Sequence, residues 1–219
     1  MKNIQEIIPE FIKRLSYTDF VGFVNQWNVL PGSYSTLSKW AVYSQMDKHS
    51  RLLEVACTTG FSSRELATLT GCSGEGFDLS DSSIETANYN KKRYAPEINF
   101  SYQVADGYHY KPRGRFTHIA VGASLKFFPD PEKMVSKCIS LLEDGGYILA
   151  APFYVVRTIP SNLIKRAQKV FGITPTNVFY KEIMQLYNKF EIVYEDRNEL
   201  IQETKDELEY YCRSTIERA

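Results

Sequence analysis

Neither sign of charge is in surplus in this chain of 219 residues, which sets 26 Lys and Arg against 26 Asp and Glu. A zero balance leaves no basic footprint for nucleic acid, and the short basic runs at 91–93 and 111–115 read as solvated surface. No apolar run approaches the ~20 residues of a membrane span. The polar N-terminus of mixed charge is expected to carry neither a secretory nor a transit signal. Neither nucleic acid nor membrane is therefore expected as a partner. Cysteine is scarce and scattered: Cys57, Cys72, Cys138 and Cys212 show no paired spacing, so no metal site is expected. Internal repeats and low-complexity linkers are lacking too, and the length suits a single domain, 1–219.

Glycine is thin even where a ligand loop is legible. The segment Arg51-Leu-Leu-Glu-Val-Ala-Cys-Thr-Thr-Gly-Phe-Ser-Ser63 is an apolar run that ends in small residues and one glycine. An amphipathic pattern with Leu66, Ala67 and Leu69 follows, so a buried parallel strand turns tightly into a helix. Small residues at such a turn admit a ligand close to the backbone, and the helix start offers free N–H groups. About 20 residues on, Gly74-Glu-Gly-Phe-Asp-Leu-Ser80 reads as a second strand ending in a carboxylate, Asp78. A carboxylate in that place accepts both hydroxyls of a ribose. A nicotinamide fingerprint would need glycine at Ala56, Thr58 and Phe61, and it fails at all three.

Five segments in order over roughly 50–155 resemble the class I S-adenosylmethionine-dependent methyltransferases of the Rossmann-like, small-molecule type. They are Glu54 to Gly60, Asp78, Val104-Ala-Asp-Gly107, the run from Phe116 through Gly122-Ala-Ser124 to Pro131, and Leu141-Leu-Glu-Asp-Gly-Gly-Tyr-Ile-Leu-Ala150. The resemblance implies S-adenosylmethionine as cofactor. It assigns Glu54, Ala56, Cys57, Thr58 and Gly60 to the loop, Asp78 and Leu79 to the ribose end, and Asp106 and Gly107 to adenine. Gly122, Ala123 and Ser124 fall beside the methionine part. Thr58 departs from the family's glycine: a β-branched residue takes a positive φ only at a cost, so either the dihedrals there are ordinary or the loop is reshaped.

Strand and helix signals alternate through the core, with strands near 51–56, 74–78, 99–104, 117–122 and 146–153 and helices near 62–70, 81–93 and 131–142. Alternation of this kind predicts an α/β fold, a doubly wound, mostly parallel sheet with helices on both faces. Residues 1–48, with helical spacing at 3–15, 17–28 and 35–47, form an expected lid. The cofactor-binding core is 49–155, and 156–219 is a C-terminal cover, with 152–180 expected in the acceptor pocket. Helices are expected over 161–171 and 177–188, a sixth strand over 190–195, and a last helix opened by the capping box Thr204-Lys-Asp-Glu207. The family's seventh, antiparallel strand has no counterpart in the sequence. An unpaired edge on the fifth strand is a liability, so three outcomes follow: the sixth strand pairs directly with the fifth, another chain supplies a strand as in a homodimer, or the sequence belongs to a longer protein. The last is preferred.

The expected chemistry is methyl transfer to an O or N nucleophile of a small molecule, in the cytoplasm. His109 and Lys126 are the candidate bases near the strand ends, although a free amine or thiolate would need none. His118 reads as core, His49 as exposed, and Cys57 as a small wall residue. Tyr34, Tyr43 and Tyr154 are candidates for an aromatic acceptor rim, a setting that suits flat or cationic molecules. The alternative reading is a methyltransferase-like protein that binds cofactor or a partner without catalysis.

Overall fold

The five expected runs become five strands, and a helix follows each except the third, from which a loop over 105–115 carries the chain back to the start of the fourth. The computed structural model describes residues 9–218. Three helices come first: α1 (Pro9–Ile12), α2 (Tyr17–Phe23) and α3 (Ser33–Tyr43). The core follows as β1 (Arg51–Val55), α4 (Phe61–Thr70), β2 (Ser73–Asp78), α5 (Asp81–Tyr94), β3 (Phe100–Val104) and β4 (Phe116–Gly122). It closes with α6 (Pro131–Leu141) and β5 (Leu142–Ala150), and α7 (Ser161–Phe171), α8 (Tyr180–Gln185) and α9 (Lys205–Arg218) complete the chain. All pairings are parallel, in the order β3-β2-β1-β4-β5. The expected α/β class stands.

Side chains alternate across the sheet, so Leu52 joins the core on one face and Leu53 the core on the other. The first core packs Leu37, Trp40, Phe61, Leu66 and Ile84 from α3, α4 and α5. The second packs Met134, Val135 and Cys138 of α6 with Ile183 of α8. His118 is buried, as expected; burial lowers its pKa, and its ring meets the Ser44 carbonyl at 3.0 Å.

The helix starts follow the capping residues. Ser16 accepts the Asp19 N–H, Ser80 the Ser83 N–H, and Asp130 the Lys133 N–H, with Pro131 in the first helical position. Thr204 and Glu207 exchange hydrogen bonds in the expected capping box. Helix α2 lies directly against α5. A Cβ on Gly22 would stand 2.4 Å from the Ser83 nitrogen, so only glycine permits that approach. Trp27, in the connection after α2, has the guanidinium groups of Arg64 and Arg218 at 4.9 and 5.0 Å from its ring, which ties α9 to the N-terminal helices.

Three expectations need correction. Residues 190–195 form no strand: Tyr194 stacks on Tyr43, with ring centres 3.9 Å apart, and Tyr180 donates to Glu195, while Asp196 pairs with Lys39. Side-chain ties to α3 and α8 hold the segment where no ladder partner runs, so it does not pair with β5. The helix expected over 177–188 contracts to Tyr180–Gln185, because Val178 gives its carbonyl to the Val155 N–H and stays extended. β5 starts at Leu142 instead of 146, and a bulge around Gly145 and Gly146 separates the Phe116–Leu142 and His118–Tyr147 pairs. No seventh strand occurs among the described residues. The helix expected over 3–15 lies mostly outside them, and no described helix is long and apolar enough to cross a membrane.

Candidate active site

The C-terminal ends of the five strands share one edge. The strand order makes β1 and β4 neighbours at the point where the connections change direction, and open parallel sheets form their clefts there.

The loop from β1 to α4 takes the shape of a glycine loop while holding one glycine. Ala56, Thr58 and Gly60 have φ of 53°, 45° and 70°. Left-handed backbone costs a non-glycine residue about 1–2 kcal/mol, so Ala56 and Thr58 are held there by their surroundings. The Cys57 N–H bonds the Phe77 carbonyl at 2.9 Å, the Thr58 N–H bonds Asp78 Oδ2 at 3.0 Å, and the Gly60 N–H bonds the Cys57 carbonyl at 2.8 Å. From the segment after α2, Asn28 Nδ2 donates to Thr58 Oγ1 at 3.3 Å. Gly60 is fixed twice over, since an added Cβ would also stand 2.7 Å from the Tyr102 ring. Cys57 is buried and its thiol is pushed well above its ordinary pKa, so it is a wall residue and no nucleophile.

Glu54 serves the loop from below. Its Oε2 accepts both the Ser63 N–H, at 3.1 Å, and the Ser63 hydroxyl, so it satisfies a free donor in the first turn of α4. Ser63 Oγ also meets Tyr102 OH at 3.0 Å, and Tyr102 donates to the Gly60 carbonyl at 3.2 Å. Burial raises the Glu54 pKa to about 7, against the opposing hydrogen bonds from Ser63. The residue expected among the cofactor contacts is thus spent inside the chain.

Asp78 ends β2 in the expected position, but it is only 4 % exposed. Oδ2 accepts the Thr58 N–H and Oδ1 the Ser80 N–H, each at 3.0 Å, and burial raises its pKa. A carboxylate has about four lone-pair sites, so capacity for a ribose remains although the group is nearly closed off from solvent. Leu79 next to it is 70 % exposed and Val104 at the end of β3 is exposed too, apolar edges on which a flat ring can lie. Asp106 accepts the Tyr108 N–H at 2.9 Å and its other oxygen meets His109 Nδ1 at 2.7 Å, interactions that lower its pKa. Gly107 fits tightly against Phe77 and Met134. At the end of β4, Gly122 faces open space, Ala123 follows, and Ser124 donates to the Val121 carbonyl.

These strand ends, one sealed carboxylate and one open one, a strained loop and apolar edges between, fit a nucleoside carrying a flat base. Residues 52–146 match the family model of the methyltransferase domain. Over that segment the chain carries a methyltransferase domain. The ubiquinone biosynthesis O-methyltransferase of Coxiella burnetii is 30 % identical over 131 residues, covering 58 % of this chain and 54 % of that protein. That of Paraburkholderia phymatum is 28 % identical over 98 residues, covering 45 % and 42 %. The chain thus spans about half the length of these curated relatives. Among solved structures, the MccD protein superposes with a TM-score of 0.74 at 27 % identity, over 87 % of this chain and 91 % of that one. Phosphoethanolamine N-methyltransferase 2 of Haemonchus contortus, in complex with phosphomonomethylethanolamine and S-adenosylhomocysteine, gives 0.67 at 20 % identity, over 84 % and 44 %, a likeness of fold.

Around the methyltransferase domain the remaining candidates separate. His109 is 83 % exposed and engaged with Asp106. Lys126 is half-buried on a short 3₁₀ turn and lines a tight crevice, with no room for a water, alongside Ala123, Pro152 and Phe153. Tyr34 meets Phe61 edge-on beside the loop, and Tyr154 meets Tyr180 beyond β5. Tyr43 sits at the other end of α3, next to Ser44, whose carbonyl meets His118 near the start of β4; it is far from the loop and stacked on Tyr194. A wider depression of about 450 Å³ lies at that same far end, between Gln45, Met46 and Leu69. Sequence reading missed Asn28, Ser63 and Tyr102. Only Asn28 carried any signal, since asparagine tolerates the positive φ of 49° it adopts.

Proposed function

We propose that this chain transfers the methyl group of S-adenosylmethionine to an oxygen or nitrogen of a small molecule in the cytosol. The loop carries the reading: it keeps left-handed backbone at Ala56 and Thr58, where glycine would be unstrained, and such strain persists where a ligand requires the shape. The bound cofactor supplies the electrophile for an in-line displacement. Asp78 accepts the ribose hydroxyls, Asp106 the adenine amino group, and Leu79 and Val104 flank the base. Gly122 to Ser124 border the methionine part. The chain's other task is to hold the acceptor in line and keep water out. The segment 24–30 serves as lid, and residues near Pro152 and Phe153, with Lys126, form the acceptor side. Of the two candidate bases, Lys126 borders this side and His109 is tied to Asp106, and a free amine needs no base. Both the O-methyltransferase relatives and the N-methyltransferase neighbour support this choice of nucleophile.

Calorimetric titration with S-adenosylhomocysteine tests the reading. Binding is expected, and Asp78→Ala should weaken it at least about tenfold, or 1.4 kcal/mol. No binding at millimolar ligand would sink the proposal, and unchanged affinity in the variant would remove Asp78 from the site. A second reading, binding without transfer, draws on the burial of Asp78 and the narrowness of the crevice. A labelled methyl donor incubated with pooled metabolites separates the two.

A further inference from the structure

Helix α7 is strongly two-sided yet buries none of its residues. Leu163, Ile164, Ala167, Val170 and Phe171 follow helical spacing along one side, and Lys165, Arg166 and Lys169 occupy the other. Leu163, Val170 and Phe171 stay exposed, Val170 to 67 %. Such a stripe normally lies on a core, and here Ile164 and Ala167 are only half-buried and the rest of it stays exposed.

The charge around it is equally one-sided. No Asp or Glu occurs between Asp144 and Glu182, whereas Arg157, Lys165, Arg166, Lys169 and Lys181 all do, in a chain whose charges otherwise cancel. Exposed Phe153, Val156 and Phe179 lie in the same stretch, Val156 at 86 % exposure. Apolar side chains set among cations, in a stretch of sequence without an acidic residue, complement a surface that is anionic and apolar just beneath. A bilayer containing acidic lipid is such a surface, and a helix lying in its interface needs no spanning run.

We propose that α7 docks this protein on an anionic bilayer surface, with Leu163, Val170 and Phe171 among the acyl chains and the basic residues at the headgroups. The segment leaves β5 at the end of the sheet that carries the candidate active site, and Phe153 already lines the crevice there. Docking therefore turns the acceptor side toward the membrane.

Sedimentation of the full chain with vesicles tests this. The protein should spin down with phosphatidylcholine vesicles that contain phosphatidylglycerol and stay in solution with phosphatidylcholine alone. The double variant Lys165→Gln/Lys169→Gln should lose about fivefold in partitioning per charge, the factor equivalent to about 1 kcal/mol. Val170→Asp/Phe171→Asp should abolish the binding and leave thermal unfolding unchanged, since neither side chain is buried. Failure to bind the acidic vesicles, or binding indifferent to both variants, would overturn the proposal. So would a wild-type dimer in the ultracentrifuge that Val170→Asp/Phe171→Asp converts to monomer, because a second copy would then cover the face. None of these readouts uses the cofactor, so the result is independent of the methyl-transfer reading.

Discussion

Replacing Glu54 by glutamine should change how stability depends on pH more than it changes stability itself. The carboxylate lies buried under the loop, and burial raises its pKa from 4.5 to about 7. Between those values the folded state keeps a proton that the unfolded chain releases, so the stability this group contributes is fully present below pH 4.5 and is lost as pH rises through about 7. The shift corresponds to about 3 kcal/mol, at 1.36 kcal/mol per unit. Glutamine keeps an oxygen for the Ser63 N–H and hydroxyl but has no titration. Urea unfolding of both proteins at several pH values isolates the effect, because every other titrating group cancels in the difference. From about pH 4 to about pH 8 the wild type should lose about 3 kcal/mol relative to Glu54→Gln. Parallel pH profiles would refute the reasoning. A wild type that gained on the variant with rising pH would mean that Ser63 holds the carboxylate ionised.

Gly60→Ala should destabilise by about 2–5 kcal/mol, the sum of left-handed backbone and a Cβ pressed on Tyr102; a urea midpoint within error of wild type would contradict it. Gly22→Ala should cost about 1–3 kcal/mol by lifting α2 off the start of α5. Because the lid segment follows α2, amide exchange at Asn25 and Asn28 should accelerate in that variant, and unchanged exchange would uncouple α2 from the lid.

The frame of the site was legible because it rests on patterns with one physical solution. An apolar run, a small-residue turn and an amphipathic run can only be strand, loop and helix, and Asp78 and Asp106 followed from strand ends. What the sequence could not tell was which carboxylates the chain uses for itself. Glu54 and Asp78 look equally available in one dimension, and only the fold turns Glu54 onto Ser63 and Asp78 onto the Thr58 N–H. Residues 190–195 hold Ile192 and Val193 in a strand-like run, yet ladder partners are a tertiary property, and side-chain ties to Lys39, Tyr43 and Tyr180 won. Tyr43 misled because helical spacing says which face a ring is on and not which end of the sheet it reaches.

If the segment after α2 is a lid, the hydrogen bonds that seat it limit how tightly a nucleoside can bind. Asn28 to Thr58, Thr59 to the Gln26 carbonyl and Asn90 to Asn25 are three bonds across one small interface, each worth about 1 kcal/mol net. A closed form favoured by about 3 kcal/mol leaves about one molecule in a hundred open. If only the open form admits a ribose to Asp78, the measured dissociation constant exceeds the intrinsic one by about that factor. Asn28→Ala, by releasing one bond, would then tighten cofactor binding while loosening the fold.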